Sequence, residues 1–233
     1  MDEMNKMRVK LTFVEDVLGS TNNNPEVFEE FHAPKAPPEN VKEERAAILG
    51  DQPTAVEEGK EVVEKMTTVF PRNADGSRFC FDYQIRGLFK EGLGVACELD
   101  EEVVKCLSKW SAKATVDQML FVEERRVPFI SADGKPITAV KMLERPLRAQ
   151  TMRGERICLA RSEVIPAGSS ITFTVAWFDN QNKKSKKIIT EDQLVWVLNY
   201  GRLKGFGQWR GSGGFGRFTW ERLDAPVVAD KAA

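Results

Sequence analysis

The sequence predicts an α+β protein in which an antiparallel sheet carries helices on one face. Three observations lead there. Apolar and polar residues alternate, as in half-buried strands, near both ends of the chain. Stretches with helical spacing separate the strand-like ones. Turn residues at Asn73-Ala74-Asp75-Gly76 and Ala132-Asp133-Gly134-Lys135 fold the chain back between them. At 233 residues the chain is long enough for one large domain with a real core. The organisation expected is a single domain over 1–223, with an acidic helical insertion at about 24–65 and a flexible tail over 224–233.

Taken in order, Lys6 to Val14 alternates Met7, Val9, Leu11 and Phe13 with polar residues and reads as a strand. Leu18 to Asn24 is loop chemistry, and Pro25 opens a short helix through Phe31. The prolines of Ala33 to Pro38 end that helix by removing amide donors. Residues 39–65, rich in Glu, Lys, Val and Ala, read as two helices broken near Gly50-Asp51-Gln52-Pro53 and lying beside the sheet. Thr67 to Phe70 is a strand. Phe79 to Tyr83 is an extended run entering a helix from Gln84 to about Cys97. Residues 100–110 read as a helix with Val103, Val104, Leu107 and Trp110 on one face. Strand material follows at Leu120-Phe121-Val122, at Ile157-Cys158-Leu159 and from Ile171 to Phe178. Asn180 to Lys187 is a polar, basic loop, Glu191 to Tyr200 a helix, and Arg217 to Trp220 a last strand.

Composition excludes several function classes. Net charge is −1, so the chain is no histone-like basic protein. The longest apolar runs, such as Val195 to Leu198, fall far below the ~18 residues of a membrane span. The N-terminal Met1 to Lys6 lacks the apolar stretch of a secretory signal. A soluble, cytoplasmic protein with no membrane partner is expected. Cys80, Cys97, Cys106 and Cys158 form no C-x-x-C pair and have no histidine nearby, so buried thiols are expected and a zinc site is not. His32 is the only histidine, unaccompanied by G-x-S-x-G, P-loop or H-E-x-x-H. No metal, no cofactor and no catalytic residue is expected.

Charge is uneven along the chain. Residues 1–66 hold 15 acidic and 8 basic side chains, while 144–222 hold 14 basic and 7 acidic. An acidic first quarter and a basic last third fit either two solvated faces or a polyanion-binding surface opposite an acidic appendage. The run Gly201 to Gly216 sharpens the second reading, because seven of the protein's 17 glycines fall in these 16 positions: Gly201, Gly205, Gly207, Gly211, Gly213, Gly214 and Gly216. Glycines permit positive φ and let successive amides form an anion-binding concavity. Arg202, Lys204, Arg210 and Arg217 add charge, and Phe206, Trp209 and Phe215 offer faces on which bases can stack. The competing reading is a loop that only packs between a helix and a strand.

A helix, a glycine-rich loop and a strand ending in Gly214-Phe215-Gly216-Arg217-Phe218 resemble the C-terminal signature of the RAMP superfamily, the repeat-associated proteins of CRISPR systems. Two other segments agree in order. Cys80 to Leu93 resembles the family's strand and turn leading to a basic residue and glycine on a helix, with Arg86, Gly87 and Lys90 in the matching places. Arg161 to Val175, with its turn at Pro166-Ala167-Gly168, resembles the stretch preceding a core strand in effector-backbone subunits. Just upstream, Arg145, Arg148, Arg153 and Arg156 lie where such subunits carry a basic loop. The chain as a whole also resembles uncharacterised proteins encoded by bacterial prophages.

The resemblance implies a ferredoxin-like, RRM-related core and a non-catalytic binder of single-stranded RNA, often a subunit that stacks head-to-tail along its nucleic acid in a ribonucleoprotein complex. Phosphate contacts are then expected at Arg86, Lys90, Arg145, Arg148, Arg153, Arg156, Lys204, Arg210 and Arg217, with Trp209 as a stacking platform. The backbone at Gly205, Gly207, Gly211, Gly213, Gly214 and Gly216 is expected beside the nucleic acid. Two alternatives stand beside this: a phage-encoded protein acting through protein–protein contacts of its acidic insertion, and a repeat-processing endoribonuclease, for which His32 is the available histidine. Asp16 lies nearest the place of the loop aspartate with which some backbone subunits cut target RNA, and reads more simply as an acidic surface residue.

Overall fold

The computed structural model of the chain describes residues 4–22, 34, 37, 40–49, 67–99, 109–151, 154–178 and 189–224, with the backbone alone described at 109–110, 147–151 and 154–159. The first strand, β1 (Met4–Phe13), buries Met7, Val9, Leu11 and Phe13 on one face, as its alternation requires. The chain then makes β2 (Val17–Leu18), β3 (Thr21–Asn22), helix α1 (Val41–Leu49), β4 (Thr67–Val69) and β5 (Phe79–Phe81). Helices α2 (Asp82–Leu99) and α3 (Lys109–Met119) follow, then β6 (Leu120–Val122) and β7 (Arg126–Pro128). The remainder is β8 (Lys141–Thr151), β9 (Gly154–Ile165), β10 (Ser170–Phe178), α4 (Glu191–Lys204) and β11 (Phe218–Arg222).

The main sheet has the order β11-β1-β10-β6, and every neighbouring pair is antiparallel. Numbered along the chain, those four strands stand in the order 4-1-3-2. Helices occur between the first and second and between the third and fourth. This is the ferredoxin-like β-α-β-β-α-β arrangement, so the expected α+β class holds. The helices pack closely on the sheet. A Cβ at Gly92 of α2 would lie 2.5 Å from Val197 of α4, and one at Gly201 would lie 2.7 Å from the Phe218 ring.

A second sheet, β2-β9-β4-β3, is extended by β8, which among the described residues pairs with β9 alone. The small β5–β7 pair supports α1: Ala47, Ile48 and Leu49 cluster with Phe79 and Phe81. Glu44 of α1 is buried and accepts two hydrogen bonds from Arg125. Acidic character in this helix is thus partly internal.

Several expectations are adjusted. Strand β8 takes the place of the basic loop expected around Arg145 and Arg148; Pro146 is tolerated because, among the described residues, this strand has one neighbour and a missing amide breaks no second ladder. Helix α4 runs on to Lys204, past Tyr200, so Gly201 and Arg202 are helical. Glycine at 201 answers the Phe218 ring, and the helix ends at Gly205, φ +87°. Its start is secured by a capping box between Thr190 and Gln193. Of the helix expected at 100–110, residues 100–108 lie outside the described residues and 109–110 belong to α3. The helix at 25–31, the second insertion helix, the Asn180–Lys187 loop, the tail and His32 lie outside the described residues.

Candidate nucleic-acid interface

The glycine-rich segment is a closed loop held by its own backbone hydrogen bonds. Phe206 donates its amide to the Gly216 carbonyl (2.8 Å), Gly205 donates to Gly201 (2.8 Å), and Gly216 donates to Asp16 (2.8 Å). A Cβ at Gly216 would lie 1.9 Å from the Phe206 carbonyl oxygen, and one at Gly205 2.2 Å from that of Phe215. Both glycines have positive φ, so two strands of backbone meet here where no side chain fits. A Cβ at Gly207 would lie 2.7 Å from the Leu18 carbonyl oxygen. Phe206, expected as a stacking face, is instead core, 3% exposed with its ring 6.1 Å from Phe13. Gln208 accepts hydrogen bonds from Thr68 (2.9 Å) and Ser162 (3.1 Å), fastening the loop to the second sheet. The amides of Gly205, Phe206, Gln208, Gly214 and Gly216 are thereby engaged internally.

Beyond this closed base, the loop presents Trp209. Its backbone has φ +52°, a conformation that costs free energy outside glycine. Its ring is 41% exposed and stacks on Phe215 with centroids 5.5 Å apart. Gly213 makes the position possible, since a Cβ there would lie 2.8 Å from the indole. Arg145 of β8 lies over the same indole, 4.1 Å from the ring centroid. It is 7% exposed, and its Nε and Nη1 have no hydrogen-bond partner. Burial lowers its pKa from the ordinary guanidinium range.

The other basic residues are more ordinary. Lys204 and Arg210 both pair with Glu91 of α2, at 3.1 Å to Oε1 and 2.5 Å to Oε2 respectively. Gly211 lies against Lys204, its would-be Cβ 3.6 Å from Nζ, and Gly214 closes a short 3-10 turn in open space. Lys90 pairs with Asp117 (2.5 Å) and Arg86 with Asp82 (3.3 Å), leaving Arg86 Nε buried and unpartnered. Arg217 is exposed; its carbonyl accepts the amides of Val14 and Glu15. In the β8–β9 hairpin the backbone pairs Arg148 with Ile157 and Ala149 with Arg156, while Arg153 lies outside the described residues.

The fold thus joins Arg145 to Trp209, and Lys204 and Arg210 to each other. Lys90 and Arg210 line one cleft of about 490 Å³ with Glu91 and Lys113. Neither Glu91 nor Lys113 was singled out from the sequence. The available signal was Gly87, Glu91 and Gly94 on one face of a helix. Asp16 accepts the Ala167 amide at 2.9 Å, so its carboxylate ties together two loops.

No protein-family model matches the chain, and no curated protein matches it. Among solved structures it is similar to a chain of the type III-B Cmr-beta bound to cognate target RNA, seen by cryo-EM. That alignment has 11% identity and a TM-score of 0.42, covering 95% of this chain and 61% of that one. It is also similar to a chain of a type IV-B CRISPR complex, with 13% identity and a TM-score of 0.44, covering 97% of this chain and 93% of the other. The chain spans about three-fifths of the Cmr-beta chain and nearly all of the type IV-B chain.

Proposed function

We propose that this protein is a non-catalytic binder of single-stranded nucleic acid, RNA in preference to DNA, acting as a subunit of a ribonucleoprotein assembly and repeating along the nucleic acid. The carrying observation is the Arg145–Trp209 pair. A guanidinium with two unpartnered nitrogens is buried against a half-exposed indole that strained backbone holds in place. Burying a cation without an anion is costly, and a phosphodiester drawn to the pair offers acceptors to the guanidinium while its base packs against the exposed part of Trp209. The ordered motif resemblance and the ferredoxin-like topology support the same reading.

The test begins with protein purified without nuclease, whose ultraviolet absorbance ratio reports bound nucleic acid. Anisotropy of a labelled single-stranded RNA then gives affinity against salt. Binding is expected to weaken steeply with salt. Arg145→Gln and Trp209→Ala are each expected to cost about tenfold in affinity. Lys204→Ala/Arg210→Ala/Arg217→Ala together are expected to remove most of the binding. Unchanged affinity in all of these variants refutes the proposal.

A further inference from the structure

Resting on that reading, we infer that the Glu91 carboxylate occupies a phosphate subsite in the free protein, and that a phosphodiester of the bound nucleic acid displaces it from Lys204 and Arg210. Two cations from different elements, the last turn of α4 and the loop beyond it, converge on one carboxylate. Lys204 reaches Oε1 and Arg210 reaches Oε2. A phosphodiester presents the same chemistry, two equivalent oxygens sharing one negative charge.

Folding does not require this ion pairing. Backbone hydrogen bonds from Gly205, Phe206 and Gly216 already close the loop, and Phe206 anchors it in the core. Partly exposed ion pairs add little to stability beyond that. The carboxylate is also reachable. It stands in the open cleft beside Gly87, where an added Cβ would meet nothing within 4 Å. Lys90 on the same cleft pairs with Asp117 and does not need Glu91. Glu91 therefore weakens binding by competing, and sets how much polyanion must be present before Lys204 and Arg210 engage.

The experiment is RNA anisotropy over a salt series on the full chain, with thermal melts run alongside. Glu91→Gln is expected to bind about tenfold more tightly at low salt, its log–log salt slope little changed because the same phosphates are neutralised in both proteins. Lys204→Ala/Arg210→Ala in the Glu91→Gln background is expected to erase that gain. Three outcomes overturn the inference: Glu91→Gln folds and binds no better than the parent; the gain survives without Lys204 and Arg210; or Glu91→Gln loses its fold, which makes the ion pairs structural. Parent binding that depends on Arg145, with no gain in Glu91→Gln, defeats this inference alone. No binding by the parent or any variant defeats the proposed function as well.

Discussion

Burial sets the chemistry of single side chains here, in opposite directions for acids and bases. It lowers the pKa of Arg145, and it raises those of the Cys80 thiol and the Tyr83 phenol, with Glu44 adding to the effect at Tyr83. In the unfolded chain, thiol and phenol ionise from about pH 8.5 and pH 10. The folded protein keeps both protons beyond those values. Above about pH 8.5 the unfolded state therefore holds fewer protons than the folded one, and stability falls as pH rises. The contribution is fully present below that range. The urea midpoint is expected to drop between about pH 8 and pH 10, less so in Cys80→Ala. Equal midpoints across that interval would show that these groups titrate freely. The expectation of buried thiols follows from cysteine chemistry and is met at Cys80. The lone cation of Arg145 has no such signature, because an arginine expected in a basic loop reads as solvent-facing.

Among the elements, the glycine-rich loop shows how one residue type answers two demands. Gly214 and Gly216 have nearly the same φ, +75° and +69°. Yet a Cβ at Gly214 meets open space, while one at Gly216 lands on the Phe206 carbonyl. Gly214→Ala is expected to cost about 1 kcal/mol, the penalty of the left-handed conformation alone. Gly216→Ala is expected to cost about 3 kcal/mol or more, because the two backbone segments must separate. For a chain of this size those correspond to roughly 2–4 °C and 6–12 °C in Tm. Melts that fall together would mean that the close approach is not maintained in solution. The density of glycine announced an unusual loop, and the helix before it and the strand after it were legible from periodicity. What composition could not reveal was that Gly201 belongs to a helix and Phe206 to the core. Both depend on Phe218 and Phe13, partners distant in sequence.

The second sheet is fastened to the chain entering the β5–β7 pair through Glu163 of β9, 3% exposed. Its carboxylate accepts the Phe70 amide (2.9 Å) and the guanidinium groups of Arg72 (3.0 Å) and Arg78 (3.0 Å). One buried acid thereby fixes the chain after β4 and the approach to β5 against the strand that carries the basic hairpin. Arg78→Ala leaves that charge under-compensated and is expected to cost about 3–5 kcal/mol. Arg78→Met with Glu163→Gln is expected to recover part of it, since neither side is then a buried charge. Denaturant midpoints distinguish the two, and a double variant no more stable than the single one would refute the pairing as the cause. Local order was readable in the chain: alternation marked β1 and β10, helical spacing marked α2 and α4, and turn residues marked Asn73–Gly76 and Ala132–Lys135. These are short-range signals, carried by neighbours within a few positions. The 4-1-3-2 strand order, the Arg145–Trp209 contact and the Glu91 clamp arise between residues from 53 to 213 positions apart. No local periodicity encodes which cation finds a carboxylate and which is left for a ligand, because that choice is made only when helix, loop and hairpin are packed against one another.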